Sequence, residues 1–131
     1  MIVVALIAII ASFAIPSLQA ATKDAKETRA VAHLKMLHTV NAQCRLRFGS
    51  YATTVNNLVN SGILLHFRQT GVSGPDGYGY SYSAPRYHYE VHAFPDELGV
   101  TGDRGFFLDE SGVIRFDLCG AATSTSSSID G

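Results

Sequence analysis

The first fifteen residues, Met1 to Ile15, read MIVVALIAIIASFAI, apolar throughout except for Ser12, and no charged side chain precedes Lys23. Such a segment has no polar face to turn toward water, so its surroundings are lipid, a protein core or other copies of itself. A helix rises about 1.5 Å per residue and needs ~20 apolar residues to cross a bilayer. The run from Met1 to Leu18 is just long enough for that. Pro16 removes a backbone donor and crowds the preceding turn, so a helix through it is expected to kink or melt there. A secretory signal peptide is the competing reading. Leu18-Gln19-Ala20-Ala21 offers small residues for cleavage, but no Lys or Arg precedes the apolar run.

From Ser17 to Phe48 the chain has no Gly or Pro, is rich in Ala, Lys, Gln, Leu and Arg, and reaches Gly49, which suits the left-handed position past a helix end. Val31, Leu34, Leu37, Asn41, Cys44 and Phe48 recur at spacings of three and four, predicting one stripe toward a core, with Asn41 interrupting it. The helix is therefore apolar all round up to Ile15 and amphipathic from Val31. Between these parts lie Lys23, Asp24, Lys26, Glu27 and Arg29, charges of nearly balanced sign. With Lys23 and Glu27 one turn apart, this patch reads as a solvated or inter-subunit face.

The run Met1-Ile2-Val3-Val4-Ala5-Leu6-Ile7-Ala8-Ile9-Ile10-Ala11-Ser12-Phe13-Ala14-Ile15-Pro16-Ser17-Leu18 resembles, without gaps, the N-terminal helix of type IV pilins and of the related type II secretion pseudopilins. In that family the helix follows a short basic leader, a cleavage site and a first turn carrying a glutamate, which on this alignment falls two residues before Met1. Met1 matches a position inside the family helix, so the start at Met1 is expected to be a truncated or misassigned one. The family's processing site and glutamate are carried onto no residue here.

The resemblance implies a structural subunit that polymerises into an extracellular filament. Its membrane or filament-core helix covers residues 1–21 and includes Met1, Val3, Val4, Leu6, Ile7, Ile9, Ile10, Phe13 and Ile15, with Pro16 as the kink. The implied partners are further copies of the chain in a helical homopolymer, the inner membrane before assembly, and the pilus assembly machinery. The implied destination is the cell surface. A pseudopilin of a type II secretion system is the alternative within the family, and a monomeric membrane-anchored or secreted binding domain is the alternative outside it.

About 110 residues follow the apolar helix, enough for one small domain with a core of its own. A formal net charge of -1 gives no electrostatic case for nucleic acid as a partner, and charged residues are only 16% of the chain. Gly49 to Thr54 reads as a loop into a short helical turn, Val55 to Ser61, with Leu58, Ile63, Leu64 and Leu65 expected to pack inward. This Gly-x-Tyr loop also resembles pilins and pseudopilins. Gly71, Gly74, Pro75 and Gly77 mark turns.

At Tyr78 the period changes from 3.6 to 2. Tyr78, Tyr80 and Tyr82 alternate with small residues, Pro85 and Arg86 turn the chain, and Tyr87, Tyr89, Val91 and Ala93 share a face opposite His88, Glu90 and His92. Phe106 to Leu108, the turn Asp109 to Gly112, and Val113 to Leu118 make a second hairpin, with Ile114, Phe116 and Leu118 on one face. That hairpin also resembles the final strands of some pilin-like proteins. The expected fold is α+β: a long N-terminal α-helix packed against a C-terminal antiparallel β-meander of about four strands. The globular domain spans residues 22–120.

The tail, residues 121–131, is small and polar and is expected to lie exposed, with Thr123, Ser124, Thr125, Ser126, Ser127 and Ser128 as candidate O-glycosylation sites. The pilin resemblance implies a domain outside the cytoplasm, where Cys44 and Cys119 can form a disulfide closing a loop of about 75 residues, roughly 4.5 kcal/mol in chain-entropy terms. Two small buried thiols that never meet remain the other reading.

His88-x-Glu90-x-His92 has the side-chain types of a zinc or copper site, but a solvated strand face has the same pattern. Asp96, Glu97 and Asp103 make an acidic loop of the kind that could hold calcium, as a C-terminal loop does in the major pseudopilins, but their spacing matches no calcium-binding motif. No nucleophile elbow, phosphate-binding glycine loop or His-Glu-x-x-His helix occurs. The sequence therefore points to no catalytic residue, no metal and no cofactor. The alternating tyrosines read as sheet packing rather than as a path for electrons.

Overall fold

The computed structural model describes residues 1–60, 77–118 and 120–131, and leaves the side chains of residues 58–60 undescribed. One helix dominates it. Helix α1 runs from Ile2 to Phe48 and ends at Gly49, whose φ of 74° is left-handed and whose N–H donates to the Arg45 carbonyl at 2.9 Å. Arg45 and Arg47 in the last turn face the negative end of the helix dipole. The helix is continuous through Pro16, so the expected melting there is not seen. Helix α2, Val55–Asn60, follows. The inward packing expected of Leu58, Ile63, Leu64 and Leu65, and the turn expected at Gly71 to Pro75, lie outside what is described.

Five antiparallel strands then form one sheet in chain order: β1 (Tyr78–Ser83), β2 (Glu90–Pro95), β3 (Gly105–Asp109), β4 (Ile114–Asp117) and β5 (Ser127–Ser128). Pairing Tyr82 with Val91, Val91 with Leu108 and Leu108 with Ile114 makes one row across the inner face. Tyr80, Ala93, Phe106 and Phe116 make the next. These rows pack on Ala30, Leu34, Leu37, Val40 and Cys44 of α1, giving the α+β layout of a long helix on an antiparallel meander. Gly79 lies opposite Phe94, whose ring covers it; a Cβ there would come within 2.6 Å of the ring. Gly105 lies against the Gly120 carbonyl oxygen, where a Cβ would overlap it.

Four expectations change. Phe48 is exposed rather than part of the core stripe, because α1 has outrun the sheet by its last turn. Leu118 is also exposed, since β4 ends at Asp117 and the face it would have continued stops there. Tyr87 is exposed because it lies in the β1–β2 turn, and β2 begins only at Glu90. The tail is not wholly a surface segment. Ser127 and Ser128 pair with Phe116 and Arg115 as β5, Ala122 is fully buried, and Ile129 packs against the core.

Candidate functional site

The first part of α1 is bare. Met1, Val3, Val4, Leu6, Ile7, Ile9, Ile10, Phe13 and Ile15 are all exposed, Phe13 by 76%, and none of the most apolar 18-residue window of the helix is buried. By length and composition this segment can cross a membrane. Its few polar side chains are satisfied within the helix. The Ser12 hydroxyl donates to the Ile9 carbonyl at 2.7 Å, and the Ser17 hydroxyl donates to the Ala14 carbonyl at 2.9 Å. Side chains that spend their donors on their own helix can enter an apolar medium without leaving a polar atom unpaired.

The charged patch that follows holds the helix to the domain. Glu27, expected on a solvated or inter-subunit face, is only 4% exposed. Its Oε1 accepts the Asp103 backbone N–H at 2.9 Å, and its Oε2 accepts Arg104 Nε at 2.8 Å, with Arg104 Nη2 at 2.6 Å. One turn earlier, Lys23 donates to Asp103, 2.9 Å from Oδ2. Sequence reading missed this because both partners come from the β2–β3 loop, more than 75 residues away. Asp103, weighed above as a calcium ligand, is thereby a counter-ion for Lys23.

Below this clasp α1 and the loop leave a crevice of about 450 Å³ lined by Pro16, Gln19, Ala20, Thr22, Lys23, Lys26, Gly99 and Val100.

Further along, α1 meets the sheet through polar pairs set within the core. His33 Nδ1 lies 3.1 Å from the Tyr80 hydroxyl, and His38 Nδ1 lies 2.6 Å from that of Tyr89. Tyr82 donates to Asn41 Oδ1 at 2.9 Å and to the Ala52 carbonyl at 2.7 Å, one proton shared between two acceptors. Burial pushes the Tyr82 phenol up to about 12, with the Asn41 bond opposing, and pushes that of Tyr89 further. Asn41 thus interrupts the apolar stripe as a tyrosine partner.

The remaining candidates are dispersed. His88 Nδ1 bonds Glu110 Oε1 at 2.7 Å, Glu90 is exposed, and the His92 ring packs on Phe107 at 5.0 Å. Among the described residues no three His, Cys, Asp or Glu gather into a metal-binding group. Cys44 is buried on α1 and pairs with no cysteine among the described residues, and burial raises its thiol pKa against the pull of Arg47. Cys119 lies outside the described residues. Thr123, Ser124, Thr125 and Ser127 are exposed, while Ser126 and Ser128 are half-buried. Ser126 Oγ accepts the Thr123 N–H, and Ser128 Oγ accepts the Asp130 N–H. No protein-family model matches the chain, and no curated protein matches it.

Proposed function

We propose that the chain is a structural subunit that polymerises into an extracellular type IV pilus-like filament, held in the inner membrane by its N-terminal helix before assembly. One observation carries this reading: α1 is apolar on every side and bare along its first part, while its second part packs into the core of the domain. A soluble monomer would expose that apolar area to water at about 25 cal/mol per Å². Lipid removes this cost, and so does a bundle of the same helices. Exchanging lipid for neighbouring helices is driven by packing, and a head-to-tail contact that does not close into a ring propagates as a fibre. Assembly machinery would move subunits from one medium to the other, and no catalytic group is required of the subunit itself.

Electron microscopy of material sheared from producing cells, with mass spectrometry of the subunit's N-terminal peptide, tests the reading. Thin helical fibres built from this chain, with a methylated N-terminal residue upstream of Met1, are expected. Dispersed protein beginning near Ala21 would overturn both the filament and the anchor, leaving a cleaved signal peptide. Protein found only in the membrane, as monomers, would leave an anchored binding domain.

A further inference from the structure

The β2–β3 loop carries an exposed aliphatic tip, Leu98 at 54% and Val100 at 57%, on either side of Gly99, whose φ of 85° makes the turn. The tip is built to hold its shape. Gly99 N–H donates to the Gly102 carbonyl at 2.8 Å, and Val100 and Thr101 N–H donate to the Glu97 carbonyl at 3.1 and 2.9 Å. The Thr101 hydroxyl accepts the Glu97 N–H. The base of the loop is fixed to α1 through Asp103 on Lys23 and through the Asp103 N–H and Arg104 on Glu27. A tethered loop with two bare aliphatic side chains at its end therefore stands at a fixed height along the helix.

That height coincides with the polarity boundary of α1. Gly99 and Val100 border the crevice both with Pro16, Gln19, Ala20 and Thr22, from the end of the uncharged run of the helix, and with Lys23 and Lys26, where its charge begins, while Asp103 and Arg104 meet positions 23 and 27. Charge begins on the helix at Lys23, and on the loop it flanks the tip at Asp96, Glu97 and Asp103. Two segments distant in sequence thus change from apolar to charged at the same level. We infer that Leu98 and Val100 form a second membrane contact, entering the headgroup region of the bilayer beside the emerging helix. This would fix the rotation and tilt of the domain on the surface before assembly. The inference rests on the membrane anchor proposed above. The occupant is a lipid surface rather than a second chain because Val100 lies beside Pro16, Gln19 and Ala20, at the end of the apolar run that can span a membrane. With acidic and basic groups interleaved around it, a zwitterionic surface suffices.

The chain contains no tryptophan, so single-tryptophan variants of the full protein report each position separately. Val100→Trp, Leu98→Trp, Ile10→Trp and Tyr87→Trp would each be reconstituted in phosphatidylcholine vesicles, with bromine placed near the carbonyl or the methyl end of the acyl chains. Tyr87 is the reference, exposed in the β1–β2 turn at the far end of the sheet. Ile10→Trp is expected to be quenched by both lipids and Tyr87→Trp by neither. Val100→Trp and Leu98→Trp should shift to the blue and be quenched chiefly by bromine near the carbonyls. Quenching of Ile10→Trp without any at positions 98 and 100 overturns the inference and leaves the anchor standing. Absence of quenching at Ile10→Trp as well overturns the anchor and this contact together. A blue shift at 98 and 100 that bromine does not quench, and that fades as vesicles are made sparser in protein, overturns it in favour of a second copy covering the tip.

Discussion

Helix α1 is one unbroken helix, yet its two parts stand in opposite relations to the chain around them. Residues up to Leu18 are almost wholly apolar and bury nothing, whereas residues 27–44 mix charged, polar and apolar side chains and supply the helical side of the core. Apolarity alone therefore does not tell where a protein's core lies. A helix apolar on every side has no preferred direction in which to pack on its own domain, while a stripe at spacings of three and four has only one. The first part is made for a medium and the second for a particular partner.

The sharpest way to separate them is to truncate one side chain in each. Leu37→Ala, at a position fully buried against the sheet, is expected to cost about 2–5 kcal/mol of domain stability, read as a fall in Tm and in denaturant midpoint. It should leave membrane association unchanged. Ile10→Asp reverses the pattern. A carboxylate near the middle of a membrane helix costs about 3 kcal/mol of insertion, so the variant is expected in the soluble fraction, without fibres, and with the domain's Tm unmoved. If Ile10→Asp lowers the Tm as far as Leu37→Ala does, the two parts are not independent.

Glu27→Gln addresses the joint between them. It removes the charge that Arg104 and the Asp103 N–H share, and with Arg104 partly exposed the expected loss is about 1–2 kcal/mol. The same change should loosen the β2–β3 loop, seen as faster amide exchange at Asp103 than in the unmodified protein. The smallest effect belongs to the solvated pair of His88 and Glu110. The His88 hydrogen bond holds the Glu110 carboxyl below its ordinary value. Its contribution is then present above the unfolded carboxylate value of about 4.3 and is lost as the pH falls through the lowered one. Because both side chains are solvated, Glu110→Gln is expected to cost less than about 0.5 kcal/mol near neutral pH and nothing in acid, measured as the Tm difference between the two proteins across that range.

The parts of this fold that were legible in the sequence were those with a repeating local signal. The α1 stripe at Leu34, Leu37 and Cys44 and the alternation at Tyr78, Tyr80, Tyr89, Val91 and Ala93 are buried as expected. Where a pattern ran past the end of its element, at Phe48, Tyr87 and Leu118, it misled, because periodicity states which face a residue occupies but not whether anything lies opposite. Glu27 was misread for a related reason. Its spacing from Lys23 fits an exposed helical ion pair, but its partners are a backbone N–H and a guanidinium brought in by a distant loop. The tail misled through composition: a run of hydroxyl side chains suggests solvent, yet β5 needs only backbone donors and acceptors and an unpaired edge beside them.

By itself, the sequence determined the long helix, its apolar first part and its amphipathic second part, the two hairpins and the faces they bury, since each follows from interactions within a few residues. Only the tertiary structure decided that Glu27 and Lys23 clasp the β2–β3 loop, that His33, His38 and Asn41 meet tyrosines, and that Val100 stands level with the end of the apolar run. Each of these depends on the register of helix against sheet. That register is set by the summed packing of many side chains at once, which no short stretch of sequence contains.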